Sequence, residues 1–317
     1  MSDDPLAEIV ADLPAATTTA PNPLAGVPFE VGVPKPDPIL VADGVHRQYG
    51  GLIAVDVDHL EIQRGVITAL IGPNGAGKST FFNLLTGFDE PDQGRWTFDG
   101  DDVTGRPGHK LARAGMVRTF QLTKSLSRLS VLENMKLGAQ RQIGEHFWSS
   151  LLPPTWRGQE KANEELADEL LTRFRLDHMR DGFAGNLSGG QRKLLEMARA
   201  LMADPNLIML DEPMAGVNPA LAQTIVGHVT QLSDEGLTVM FVEHDMDVVR
   251  TVSDWVVVMA EGRIIAEGRH SSIVTNPRVI DAYLGAHHTT PLDRAEQDRQ
   301  LAAAQAAVEA EARGETS

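Results

Sequence analysis

Apolar and polar positions along this chain alternate between two periods. Short, nearly continuous apolar runs of strand length lie at Ile39–Ala42, Ala54–Ile62, Val66–Ile71, Leu207–Leu210, Thr238–Val242 and Trp255–Met259. Ile264–Ala266 follows the turn Glu261-Gly262 and reads as the second arm of a hairpin. After Gly189 the period changes to that of a helix, with Leu194, Met197, Ala198 and Leu201 at i, i+3, i+4 and i+7 on one face. Strand runs separated by such helices predict an α/β fold with a largely parallel sheet. From about Leu122 to Asn186 the pattern is helical and polar, with Glu164, Glu165, Asp168 and Glu169 opposing Leu166, Leu170 and Leu171. That segment reads as a helical insertion between two halves of the α/β core. No internal repeat is visible.

The two ends carry neither period. Residues 1–38 contain eight of the 18 prolines and the Ala/Thr stretch Ala15–Ala20, so they predict a disordered tail unable to offset its chain entropy by burial. The stretch from about Asp293 to Arg313 is rich in Ala, Glu, Gln and Arg, and predicts an exposed, partly formed helix within an acidic tail over 286–317. Charge follows the same division. The formal net charge of −16 splits into −5 on residues 1–38, −3 on 286–317 and −8 on the 247 residues between.

An acidic chain has no basic field for holding a nucleic-acid backbone. No apolar run approaches the roughly 20 residues that span a bilayer, and Met1-Ser2-Asp3-Asp4 lacks the layout of a signal peptide. Zero cysteines exclude disulfides, zinc ribbons and thiol catalysis. The expectation is a protein of the cytoplasm.

Chemistry enters at Gly72-Pro73-Asn74-Gly75-Ala76-Gly77-Lys78-Ser79, which fits G-x-x-x-x-G-K-[ST] and sits between the run Val66–Ile71 and a helix start at Thr80-Phe81-Phe82. Glycines let successive N–H groups turn toward one anion, and the helix N-terminus adds its positive end. Lys78 supplies a charge for the β- and γ-phosphates and Ser79 a hydroxyl for Mg²⁺. A chance match in a chain this long is roughly a 1% event. The run Leu207–Leu210 ends in Asp211-Glu212-Pro213. Carboxylates at the carboxyl end of such a strand point into the binding crevice. Asp211 suits the Mg²⁺ shell and Glu212 the polarisation of an attacking water. Ser188-Gly189-Gly190 opens the next helix upstream and forms a second anion site, distinct from the first.

Taken in order, these motifs resemble those of ABC-transporter ATPases over about residues 39–285. Leu187-Ser188-Gly189-Gly190-Gln191 resembles the family's signature, Gln121 in Val117-Arg118-Thr119-Phe120-Gln121 its Q-loop, and His244 after Val242-Glu243 its H-loop switch. Tyr49 in Arg47-Gln48-Tyr49-Gly50-Gly51 matches the aromatic that stacks on adenine. The resemblance implies a P-loop NTPase core with an antiparallel β subdomain and an inserted helical subdomain over about 122–186. It also implies two ATPase subunits paired head to tail, each signature closing on the partner's γ-phosphate. Gln121 then reaches the metal or the attacking water, and His244 donates to the γ-phosphate. ATP and Mg²⁺ are the implied cofactors.

Within the family the details are similar to the larger, LivG-type ATPase of branched-chain amino acid importers. They are Gly50-Gly51-Leu52-Ile53-Ala54-Val55, Leu85-Thr86-Gly87-Phe88, Ser130-Val131-Leu132-Glu133-Asn134, Asp281-Ala282-Tyr283-Leu284-Gly285, and Asn218 in place of the usual D-loop Asp. The segment Phe147–Trp156 resembles that subfamily's extra insertion, and residues 122–158 are the expected contact with membrane subunits. The resemblance implies a subunit on the cytoplasmic face of the membrane with two permease subunits, an extracytoplasmic solute-binding protein and no nucleic acid. It favours a heterodimer with a second, smaller ATPase and leaves a homodimer as the alternative. The expected cargo is branched-chain or related amino acids, with urea, amides, aromatic compounds or lipid as the alternative. Rival readings are a soluble ABC protein outside transport and a nucleotide-dependent regulator without turnover.

Overall fold

The computed structural model describes residues 23–119, 126–140 and 153–285. Its strands are β1 (Pro38–Tyr49), β2 (Leu52–Gln63), β3 (Ile67–Ile71), β4 (Gln93–Phe98), β5 (Asp101–Asp102), β6 (Met116–Arg118), β7 (Leu207–Asp211), β8 (Thr238–Val242), β9 (Trp255–Ala260) and β10 (Arg263–Gly268). Its α-helices are α1 (Lys78–Leu85), α2 (Gly108–Ala114), α3 (Val131–Lys136), α4 (Pro153–Arg173), α5 (Gly189–Leu201), α6 (Pro219–Asp234), α7 (Met246–Val252), α8 (His270–Ile273) and α9 (Pro277–Gly285).

Two sheets form. The antiparallel one has the order β2-β1-β4-β5 and the larger one β10-β9-β3-β8-β7-β6. In the larger sheet β9, β3, β8, β7 and β6 are parallel, and β10 adds antiparallel through its hairpin with β9. That hairpin turns on Glu261 and Gly262, both at positive φ (50° and 80°), as a two-residue primed turn requires.

The continuous apolar runs are explained by burial on both faces. β3, β7 and β8 are buried at every position, and their side chains sort by parity. Ile67, Ala69 and Ile71 of β3 join a core with Ile208, Leu210, Val239 and Phe241, beneath α5 and α6. Leu70 faces the other way, into a second core with Met209, Met240, Val257, Phe81 and Phe82 under the antiparallel sheet. One strand therefore supplies two cores, which only a period of two permits. β4 and β6 carry no such signal: β4 buries only Trp96 and Phe98, and β6 has three residues.

Between β6 and α5 lie α3, α4 and two short 3-10 turns. Ser130 and Glu133 cap α3 reciprocally, each side chain accepting the other's backbone N–H at 3.1 and 2.7 Å. Arg180 donates to Asp168 and Glu164, both at 2.6 Å, and so fixes the polar face of α4. Leu170 and Leu171 of that helix are buried.

A disordered tail reaching residue 38 is overturned from residue 23 onward. Leu24 and Val33 are buried, and Phe29 packs on Trp255 with ring centroids 5.8 Å apart. The ammonium of Lys35 lies 2.9 Å from Glu267 Oε2 with both side chains almost wholly buried. Glu267 also accepts from the Gly32 N–H (2.8 Å) and the Trp255 indole (3.2 Å). Lys35 N–H donates to Glu61 at 2.5 Å and Asp37 N–H to Gln63 at 3.0 Å. Proline-rich composition suppresses helix and strand but not docking, so this segment is a strap running from β2 to β9 and β10. Residues 1–22 and 286–317, with the tail expectations placed on them, lie outside the described residues.

Candidate functional site

Strand order brings the chemistry to one edge. β3, β8 and β7 are neighbours, with Leu70 level with Val242 and Val242 level with Asp211. The segments after these strands are the P-loop, Glu243-His244 and Glu212-Pro213, so three separate motifs meet at the carboxyl ends of adjacent strands.

Gly72 leaves β3 at φ 150° and Gly77 enters α1 at φ 95°. A Cβ at Gly72 would strike the Met259 carbonyl, and one at Gly77 the Ala54 carbonyl. The loop is thus threaded between β9 and β2, and no larger residue fits at either glycine. Asn74, Gly75 and Ser79 are exposed, Pro73 and Thr80 half-buried, and Ala76 is buried. Lys78 donates to the Gly72 carbonyl at 2.7 Å and the Pro73 carbonyl at 2.9 Å, folded across the loop. Burial pushes its pKa down, and the nearby Glu212 carboxylate opposes that shift.

Asp211 is buried and pairs with Arg118, Nη2 to Oδ2 at 2.6 Å. The guanidinium also donates to Asn83 (2.6 Å) and Thr86 (3.0 Å) of the P-loop helix and its C-cap. Arg118 therefore joins the strand leading to Gln121, the P-loop helix and Asp211. Glu212 has φ 46°, left-handed for a residue with a side chain, and its N–H donates to the Val242 carbonyl at 3.1 Å. Such a conformation costs about 1–3 kcal/mol and persists where surrounding structure imposes it. His244 is exposed, its N–H donating to Glu243 Oε2 at 3.3 Å.

Ser188 caps α5 with Gln191, their side chains accepting each other's N–H at 3.2 and 3.0 Å. Both side chains have a structural task here. Gly189 has open space where a Cβ would stand, whereas a Cβ on Gly190 would strike Leu221 of α6. Asn218 caps α6 by accepting the Leu221 N–H at 2.8 Å. Asp performs that task equally well, which accounts for Asn in this position.

Tyr49 ends β1, half-exposed, with Arg47 over one ring face at 4.7 Å and its hydroxyl donating to Asp89. Its hairpin with β2 reaches the P-loop through Ala54. Gln121, the segment Phe147–Leu152 and the side chain of Trp156 lie outside the described residues.

Among the described residues no cluster of His, Asp and Glu could by itself hold a metal ion. The donors at hand, the Ser79 hydroxyl and the Asp211 carboxylate, are hard oxygen ligands. They fit Mg²⁺ bound jointly with nucleotide phosphates and do not make a resident cage.

A family model described as ABC transporter matches residues 55–215. The chain belongs to the ABC transporter ATP-binding family. A second model, the branched-chain amino acid ATP-binding cassette transporter, matches residues 263–289. A probable branched-chain amino acid transport ATP-binding protein LivG of Archaeoglobus fulgidus is 42% identical over 248 residues, covering 78% of this chain and 96% of the relative. BraF of Pseudomonas aeruginosa, a high-affinity branched-chain amino acid transport ATP-binding protein, is 40% identical over 250 residues, 78% of this chain and 98% of its own. Two solved ABC-transporter cassettes are similar in structure. A nucleotide-free one has TM-score 0.67 at 38% identity, covering 78% of this chain and 98% of that one. One in its ADP conformation has TM-score 0.67 at 39% identity, covering 78% and 99%. The cassette is an ATPase. The resemblance read from the motifs and the P-loop core with its antiparallel subdomain are both borne out.

Three residues with evident tasks carried no assigned role in the sequence: Arg118, Lys193 and Glu243. Arg118 is in direct contact with Asp211, and the other two grip the loop after Glu212. Their partners are 19 to 93 positions away, beyond any local pattern.

Proposed function

We propose that this chain hydrolyses Mg-ATP at the edge formed by β3, β7 and β8 to energise a membrane importer of branched-chain or related amino acids. The observation that carries the reading is the convergence of Lys78, Asp211-Glu212 and His244 on three adjacent strand ends. Gly72 to Thr80 cradle the phosphates, and Lys78 exchanges its loop carbonyls for β- and γ-phosphate oxygens. Tyr49 offers its open ring face to adenine. Ser79 and Asp211, with Gln121, would hold Mg²⁺, which when bound neutralises phosphate charge. Glu212 orients and polarises the water that attacks the γ-phosphoryl group, and His244 donates to that group. Most of the rate then comes from positioning and charge complementarity.

Ser188, Gly189, Gly190 and Gln191 present the exposed end of α5 to the γ-phosphate of a second ATPase subunit packed head to tail. Among the described residues no helix is long and apolar enough to cross a membrane. Two permease subunits supply the pore and seat this chain on the cytoplasmic face, and an extracytoplasmic binding protein delivers the solute. The cargo follows the names of the relatives, since the ATPase does not touch it.

Glu212→Gln tests the central assignment. The variant binds ATP, abolishes turnover and traps a nucleotide-bound dimer by size-exclusion chromatography. Substantial steady-state hydrolysis by it removes Glu212 from the mechanism.

A further inference from the structure

Lys193 stands on α5, five residues beyond Ser188. Its ammonium donates to three main-chain carbonyls of one loop: Glu212 at 3.4 Å, Pro213 at 3.0 Å and Ala215 at 2.5 Å. From the other side the buried carboxylate of Glu243 accepts the Met214 N–H at 2.9 Å and the His244 N–H at 3.3 Å. The loop after Glu212 is therefore gripped alternately, carbonyls by α5 and an N–H by the end of β8. Burial lowers the Lys193 pKa, and the carboxylates of Glu243, Glu196 and Glu212 oppose the shift. A rigid grip here has a purpose, because Glu212 sits at φ 46°, a conformation its own chain does not favour.

We propose that Lys193 is a positioning residue that ties the backbone of Glu212 to the signature helix. A shift of Ser188 against a nucleotide then reaches the Glu212 carboxylate of the same chain. α5 is a single rigid element between the two, and Lys193 stands on its second turn. In a head-to-tail pair, Ser188 serves the partner's ATP while Glu212 serves this chain's own. Lys193 therefore joins the two sites within one polypeptide. The inference rests on the roles given above to Glu212 and the signature.

The test uses the full-length chain in the complex in which it turns over ATP. Lys193→Met removes the three donors and keeps the stem; Lys193→Arg keeps donors. Misplacing a catalytic group by about 1 Å costs on the order of 100-fold, so Lys193→Met is expected to lower kcat by about 10- to 100-fold. KM and calorimetric ATP affinity stay near wild type, because the P-loop is untouched. The Hill coefficient for ATP falls toward one, amide exchange at Ala215–Val217 accelerates, and Lys193→Arg restores much of kcat. A kcat near wild type overturns the proposal, as does an ATP affinity that falls in step with kcat. If Lys193→Met does not fold, Lys193→Gln, with one amide donor, replaces it and must fall between Met and Lys. Glu212→Gln run in parallel separates the two failures. Turnover by Glu212→Gln removes the assignment beneath the proposal, whereas silent Glu212→Gln beside fully active Lys193→Met removes the proposal alone.

Discussion

His228 gives the structure a calculable acid sensitivity. It lies on the buried side of α6, stacked on Phe174 with centroids 4.3 Å apart and planes 28° apart. Its Nδ1 is buried without a hydrogen-bond partner. Burial first, then Arg173 and Arg175, push its pKa down from 6.5 to about 4. A lowered histidine pKa means that the unfolded chain binds a proton the folded one refuses. Its contribution is intact above pH 6.5 and is lost as pH falls toward 4. The full loss over that window is about 3 kcal/mol, and about 2 kcal/mol is gone at about pH 5. His228→Phe keeps the stack and abolishes the titration. Urea midpoints for both proteins at about pH 7 and about pH 5 isolate the term, since other titrating groups cancel in the difference. The variant is expected to gain about 2 kcal/mol on wild type between the two conditions. A difference that stays constant within about 0.5 kcal/mol refutes a buried, neutral His228.

Two further outcomes follow from buried charge and from the P-loop. Glu267→Ala strands the Lys35 ammonium, and breaking a buried pair costs about 3–5 kcal/mol, or a fall in melting temperature of about 10 °C. A scanning-calorimetry shift below about 3 °C would mean that the strap is not docked on Trp255 and Glu267. Lys78→Ala removes a charge-assisted bond to phosphate and is expected to weaken ATP binding about 10- to 100-fold by calorimetry. Unchanged affinity counts against its place at the phosphates.

What could be read in the sequence was what repeats locally. β3, β7, β8 and β9 announced themselves because burial on both faces favours apolar residues at nearly every position, and Thr238–Val242 was delimited to the residue. β4 escaped because its first three residues are exposed, which leaves too short a run for a period of two to show. The strap escaped for a different reason. Its anchor is an ion pair between residues 232 positions apart, and the composition around Lys35 describes the chain's stiffness, not its partner. The candidate site divides along the same line. The P-loop and Asp211-Glu212 are contiguous motifs with local physics, whereas Arg118, Lys193 and Glu243 act through contacts that the fold alone creates. Tyr49 lies between these cases, since its motif is local but its orientation depends on Arg47 and Asp89.

The two glycines of the signature differ in what the chain itself asks of them. A Cβ at Gly190 would meet the end of the Leu221 side chain, which would have to turn aside. Gly189 meets nothing within 4 Å, so no internal contact demands it. A glycine at a helix start has modest value as a cap, and Ser188 already performs that task. What remains is access: without a Cβ at Gly189, an anion can approach the backbone N–H groups at the end of α5. The chain's own P-loop has its lysine, hydroxyl and helix N-terminus without it. An open anion seat that the home site does not need is intelligible if it closes on another subunit's nucleotide. Gly189→Val then separates the two requirements. It leaves the fold and single-chain ATP binding near wild type and blocks nucleotide-dependent dimerisation, whereas dimerisation that survives it would detach the signature from the partner's phosphate.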